Sequence, residues 1–346
     1  MTTLPAKPGL LKQANLSIIR RALKNKKTAT RAELSEETGI SPTTTRALLT
    51  EMMGNGEIES AGFDASSGGR KAERYRFQMD KYCGAAFCIT DEEVRFLLTN
   101  LYGEVTDTAI LQIQNDNIEQ TIISFLDRLI LTKEIKSIGI GVQGVVDGTF
   151  FWKKRLHDDE LYRVDIGSSL MKRYGIPVIL ENDLNATAIG FKLCYEKEFP
   201  CEKPDQINMA YIHFEKGCIS AGFIAEGRII RGSRNFAGEL GLIPVEGGRL
   251  LEESLSSCSD DAQYTDRLVK ILSWVCGILN PQYIALGGSD LRKSCISSAC
   301  DGLSAYLPDH MAAELLYSPD VWNDYFHGLA FLTSEKMFDE IQFVKE

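Results

Sequence analysis

Apolar positions in the first eighty residues recur at helical spacing; beyond residue 80 they gather into short runs of the kind that form buried strands. Leu16, Ile19 and Leu23 share one face of a first predicted helix, with Asn15 as its N-cap. Thr30 caps a second helix, RAELSEETG, and Glu33 stands three residues on, where a capping box closes. Gly39 ends that helix, and Ile40 is the apolar residue of the turn. Ser41 caps a third helix and Pro42 takes its first position, where a missing N–H costs little. Leu48 and Met52 then fall together at i, i+4, and GNG at 54–56 stops the helix. Helix, short glycine turn, helix is the spacing of a helix-turn-helix.

The chemistry at the start of the third helix fits that reading. Ser41, Thr43, Thr44, Thr45 and Arg46 offer small hydroxyls and one long cation, types suited to phosphates and base edges in a major groove. Two strands follow, one containing Ile58 and the other RYRF, where Tyr75 and Phe77 alternate with Arg74 and Arg76. Between them SSGGRK (66–71) reads as a hairpin tip that carries Gly69, Arg70 and Lys71. A guanidinium on such a wing suits the narrow minor groove of A·T-rich DNA. Residues 1–80 are therefore predicted to be a winged helix-turn-helix that binds double-stranded DNA.

From Lys81 onward strands alternate with helices. Predicted strands cover 83–90, 94–101, 135–144, 176–182, 206–214 and 282–288, and helices lie near 117–131, 166–174, 184–197, 261–279 and 328–338. The alternation predicts an α/β body with ligand sites at the C-terminal ends of strands. GIGVQGVVDG (139–148) follows a strand with glycines, Gly144 among them, that let a ligand approach the backbone. LENDLNATA (180–188) presents Glu181, Asn182 and Asp183 at a strand end, and the segment 217–241 ends by presenting Glu239. Carboxylates at such turns accept hydrogen bonds from sugar hydroxyls. Taken singly, each turn is also what a capped helix requires.

Charge divides the chain in the same place. The net charge of −10 is the sum of +4 over residues 1–80 and −14 over the rest, so the head alone suits an anionic polymer. The nine cysteines form no C-x-x-C pair and the four histidines lie far apart, which argues for free thiols in a reducing compartment and against a metal site. Neither a membrane-length apolar run nor a signal-peptide block is visible, so the expected location is the cytoplasm.

The ordered motifs GGRK, IGIGVQGVVDG, IPVILENDLNATAIG, EGRIIRGSRNFAGELG and PQYIALGG, spread from about Asn15 to Asp290, resemble the ROK family (repressors, open reading frames and kinases). The resemblance implies an actin-like, sugar-kinase-like sensor over 81–346, with a first lobe of about 81–185 plus the C-terminal helix and a second of about 186–325. It also implies Asn182, Asp183 and Glu239 as sugar contacts, with Asp183 the catalytic base in kinase members. Two departures stand out. The stretch FCITDEEVRF carries Asp91, Glu92 and Glu93 where kinase members have a glycine-bearing loop for ATP phosphates, and three carboxylates repel a triphosphate. Leu242 stands where the family has a zinc-ligand histidine, and the cysteine cluster expected after it is absent.

The resulting expectation is a non-catalytic transcriptional repressor of carbohydrate genes with no cofactor and no metal. It would bind an operator as a homodimer or dimer of dimers and respond to a sugar or sugar phosphate. Control by a protein partner, with FWKKRLHDDELYR (151–163) at its surface or at the pocket rim, is the alternative, and a sugar kinase is the third.

Overall fold

The computed structural model describes residues 8–64, 71–90, 93–113, 117–154, 161–200, 206–215 and 217–337. The N-terminal unit consists of α1 (Pro8–Lys26), β1 (Ala29–Thr30), α2 (Arg31–Thr38), α3 (Pro42–Gly54), β2 (Ile58–Phe63) and β3 (Glu73–Phe77), its three strands ordered β1-β3-β2. The local signals act as read. The Glu33 N–H donates to Thr30 Oγ1 at 3.2 Å and the Thr30 N–H to Glu33 Oε2 at 2.8 Å, which satisfies two end groups of α2. Gly39 turns the chain at φ 67°, and the Thr44 N–H donates to Ser41 Oγ at 3.2 Å. Ile19, Leu23, Leu34, Leu48, Leu49 and Met52 close the core of this unit.

One boundary differs. The first helix starts at Pro8, so Asn15 lies inside it and caps nothing. Proline suits a first helical position, and Leu10, Lys12 and Gln13 propagate a helix well. The added turns are exposed and carry no buried face, so apolar periodicity could not reveal them.

The first lobe contains β4 (Cys83–Ile89), β5 (Glu93–Thr99), β6 (Val105–Gln112), α4 (Ile118–Leu129), β7 (Ile135–Val142), β8 (Val146–Asp147), β9 (Phe150–Lys154), β10 (Leu161–Val164), α5 (Ile166–Tyr174) and β11 (Val178–Asn182). The second contains α6 (Asp183–Glu198), β12 (Met209–Glu215), β13 (Cys218–Ala225), β14 (Arg228–Ile229), α7 (Leu251–Ser256), α8 (Asp261–Leu279), β15 (Tyr283–Gly287), α9 (Cys295–Leu303) and β16 (Glu314–Tyr317); α10 (Val321–Lys336) then returns to the first lobe.

The two large sheets share one topology. Order β6-β5-β4-β7-β11 in the first lobe matches β14-β13-β12-β15-β16 in the second. In each, three strands form an antiparallel meander and two more add in parallel. Parallel addition needs a crossover, supplied by α4 and α5 in one lobe and by α8 and α9 in the other. β4 is buried along its whole length, as expected of a strand covered on both faces. Helices α6 and α10 run between the lobes, α6 against β12 and β13, α10 against β4 and β7.

Candidate functional sites

The first site is the exposed side of α3. Thr43 and Arg46 face solvent, and Thr44 is half-buried with its hydroxyl 2.9 Å from Ser41 Oγ. Thr45 corrects the sequence reading: it is 0% exposed and its hydroxyl donates to the Ile40 carbonyl at 3.3 Å. At 100° per residue three consecutive threonines cannot share a face, and Thr45 lies with Leu48, Leu49 and Met52 on the inner one. The outer stripe is Thr43, Arg46, Ala47 and Thr50, at i, i+3, i+4 and i+7. Counting by helical period would have found Ala47 and Thr50.

A second arginine belongs to this side. Arg31 and Arg46 both act electrostatically on the Tyr75 hydroxyl, so α2, α3 and β3 converge there. Arg20, Arg74 and Arg76 are neutralised by Glu57, by Asp64 with Glu33, and by Glu59. Arg31 and Arg46 are exposed and take no ion pair among the described residues. Lys71 is exposed at the root of the hairpin, whereas Gly69 and Arg70 lie outside the described residues.

The second site lies where the lobes meet. Asn182 caps α6: its Oδ1 accepts from the Leu184 and Asn185 N–H groups at 2.9 and 3.1 Å, and its Nδ2 donates to the Gly144 carbonyl at 3.1 Å. Asn182 and Gly144, both expected at the ligand, are thus joined to each other. Gly144 adopts φ 114°, and a Cβ there would meet the Trp152 carbonyl at 2.9 Å. Beside them Glu181 is 2% exposed. It accepts from Asn185 Nδ2 at 2.9 Å and from Arg231 of the second lobe, whose Nε lies at 3.1 Å. Asn235 adds a further tie across the lobes by donating to the Val146 carbonyl.

Asp183, next in line, pairs with no cation among the described residues. Burial pushes its carboxyl up to about 7, opposed by the backbone N–H of Leu184 and raised further by the charge of Glu239. Glu239 is itself pushed upward, by burial first and by Glu252 second. The charge of Glu239 thus reaches Asp183, and that of Glu252, in the first turn of α7, reaches Glu239; Glu252 is a carboxylate that sequence reading missed. Two acids pushed upward, Asp183 and Glu239, hold protons readily and can donate as well as accept hydrogen bonds, which suits a polyhydroxyl ligand.

Asp183 also faces a cleft of about 830 Å³ lined from both lobes, with Gln143, Arg95, His213 and Trp322 in its walls. Of the three acids expected at the β4–β5 turn, Asp91 and Glu92 lie outside the described residues. Glu93 accepts from Arg95 Nε at 2.6 Å, and its N–H donates to Thr90 Oγ1 at 3.1 Å, which ties the end of β4 to the start of β5. The Arg95 guanidinium lies 4.5 Å over the Trp322 ring and walls the cleft. Leu242 is 45% exposed where the sequence comparison placed a zinc ligand, and Cys258 is buried in the second-lobe core. Of the 151–163 segment, 155–160 lie outside the described residues, and Arg163 stacks 3.7 Å over Phe150.

Two lobes of one topology, crossed by α6 and α10 and meeting at carboxylate-bearing strand ends, define the actin-like sugar-kinase fold. A model of the ROK family matches residues 84–264, more than half of the chain, and the chain belongs to that family. It is 24% identical over 263 residues to the xylose repressor of Caldicellulosiruptor bescii, a match that covers 72% of this chain and 62% of that protein. The chain thus spans under two thirds of that relative's length. Its fold is that of a ROK family transcriptional regulator described as a homolog of the E. coli MLC protein, with TM-score 0.73 at 18% identity over 95% of this chain and 97% of that one. A ROK hexokinase from Thermus thermophilus superposes with TM-score 0.57 at 17% identity, over 72% of this chain and 97% of that one.

Proposed function

We propose that the chain is a sugar-responsive transcriptional repressor whose N-terminal unit is a winged helix-turn-helix. The observation that carries this reading is the exposed Thr43–Arg46–Ala47–Thr50 stripe, with Arg31 and Arg46 in no ion pair among the described residues of a basic head. A cation without an acidic partner is available to phosphate, and a major-groove helix reads bases through such a stripe. Ser41, Thr44, Lys71 and the hairpin-tip residues Gly69 and Arg70 belong to the same proposed surface, and two copies would read a two-fold operator in the cytoplasm. Asp183, Glu239 and Glu252 form the effector site, with Gly144 and Asn182 shaping it. The relative's name makes xylose the first sugar to test.

Gel retardation of DNA upstream of the protein's own gene, with and without xylose, tests the reading. Retention of every fragment at free-DNA mobility in low salt would end it. Arg46→Ala should weaken operator binding by about 1–3 kcal/mol and relax specificity at one base pair. Arg31→Ala should weaken all sequences alike and lower the salt slope by about 1, as loss of a phosphate contact does.

Thr45 supplies an internal control. Thr45→Val removes one hydrogen bond inside the head and should cost about 1 kcal/mol of stability while leaving operator affinity alone. Thr43→Ala should do the reverse. Chemical denaturation and gel retardation on the same pair of variants decide between the two faces.

A sugar kinase is the second reading, because a carboxyl held near 7 beside a cleft could serve as a general base. The run Asp91, Glu92 and Glu93 argues against it, since phosphoryl transfer needs phosphate to be positioned and its charge neutralised. Xylose-dependent ADP formation abolished by Asp183→Asn would favour the kinase.

A further inference from the structure

The N-terminal unit is fastened to the body at a point far along the chain. Lys24, near the end of α1, places Nζ 2.5 Å from Glu335 Oε1 and 3.2 Å from Ser334 Oγ, both in the last turn of α10. Lys24 has a side chain only 11% exposed. Met337, just past that helix, is buried in the same apolar cluster as Ile19, Leu23, Leu48 and Phe77, together with Leu101 of the first lobe. The core of the N-terminal unit is therefore completed by residues from far outside it.

Helix α10 is equally tied to the first lobe. Ser137 Oγ of β7 donates to the Thr333 carbonyl at 2.7 Å in a buried bond. Toward its start, α10 meets α6 with no side chains between them. A Cβ on Gly190 would stand 1.7 Å from the Asp324 carbonyl oxygen, and one on Gly328 would stand 1.7 Å from the Ala186 carbonyl oxygen. Helix α6 packs on the second-lobe strands β12 and β13, and its first turn holds Asp183. The glycine crossing is thus the contact about which one lobe would turn against the other, with the effector carboxylates beside it.

We propose that the Lys24–Glu335 clasp and Met337 make the N-terminal unit, α10 and the first lobe one rigid body, which swings against the second lobe about the Gly190–Gly328 crossing. The regulatory half of this statement rests on the function proposed above; the mechanical half does not. A ligand that changes the lobe angle then changes where α3 is aimed, because the head follows α10 and is not free to pivot on residues 78–82. A ligand shifts that equilibrium only by its differential affinity for the two lobe angles.

The test uses the full chain and three variants: Lys24→Glu, Glu335→Lys and the charge-reversed double. Hydrogen exchange reads the coupling without any effector. Each single variant should speed exchange of the α1–α3 amides on the order of tenfold while β4 and β7 keep their protection, and the double should restore it. Unchanged α1–α3 exchange in both singles overturns the clasp, and equal acceleration throughout the chain overturns it too, as simple destabilisation. Operator affinity with and without xylose reads the regulation. The wild-type ratio should collapse to about one in the singles and return in the double, with xylose binding by calorimetry intact throughout; singles that keep the wild-type ratio overturn the proposal. Wild-type protein that binds no DNA or ignores xylose defeats the functional reading instead, and the exchange data then still decide the clasp.

Discussion

Replacing Arg231 with alanine is expected to lower the stability of the ligand-free chain by about 3 kcal/mol, far more than an ordinary surface substitution does. The reason lies in the carboxylate left behind. Glu181 is 2% exposed and lies at the end of β11, where Asn185 supplies one neutral donor and Arg231 the only cation that pairs with it among the described residues. A buried anion stripped of its partner retains its desolvation cost and loses the attraction that offset it. The double variant Arg231→Ala with Glu181→Gln should therefore recover most of the loss, because an amide needs no counter-charge. Urea denaturation of the three proteins measures this. A loss within about 0.5 kcal/mol, the range of substitutions that touch nothing, would mean that Glu181 is solvated. The pair also joins the lobes, since Glu181 ends a first-lobe strand and Arg231 follows β14 of the second. Its loss should open the lobes as well as weaken them.

What the sequence disclosed and what it withheld divide along a physical line. Thr30 with Glu33, Gly39, and Ser41 with Pro42 were legible because a cap is decided within four residues. The long strands were legible because burial on both faces forces continuous apolar runs, as in CGAAFCI. Edge elements were not: β6 alternates half-exposed and exposed positions, and α7 is a single short turn, so neither carries a period strong enough to read. Glu252 was missed for that reason. Thr45 was misread because a linear string of threonines hides the helical angle between them. The shared topology of the two sheets left no sequence repeat, since strand order is fixed by apolar pattern and connection length and not by residue identity. Asn182 was visible as a polar strand end, but its work as a helix cap depends on the backbone of Leu184 and Asn185 and on Gly144, thirty-eight positions away.

The acid cluster makes stability depend on pH with a definite sign. An aspartate in the unfolded chain titrates near 3.9, whereas burial pushes Asp183 up to about 7 in the folded chain. Between these values the unfolded state has released a proton that the folded state still holds. Asp183 therefore costs nothing below about pH 4, and its destabilising contribution grows as pH rises, reaching full size above about pH 7. Glu239 shifts in the same direction through burial and Glu252, and Asp324, pushed by burial to about 6, adds to it. Asp183→Asn removes the charge and keeps a side-chain oxygen able to accept the Leu184 N–H, which Asp183 Oδ1 takes at 2.9 Å. The variant should gain stability on the order of 2 kcal/mol relative to wild type at pH 8, a figure reduced for the opening of the carboxyl onto the cleft, and only a small part of that at pH 4.5. Melting curves at the two pH values compare the pair directly. A gain of the same size at both would mean that the substitution repaired packing and that Asp183 carries no retained proton. A gain confined to high pH would identify the carboxyl that a ligand must either deprotonate or use as a donor. In that case the affinity for a sugar that accepts its hydrogen bond should fall as pH rises through about 7.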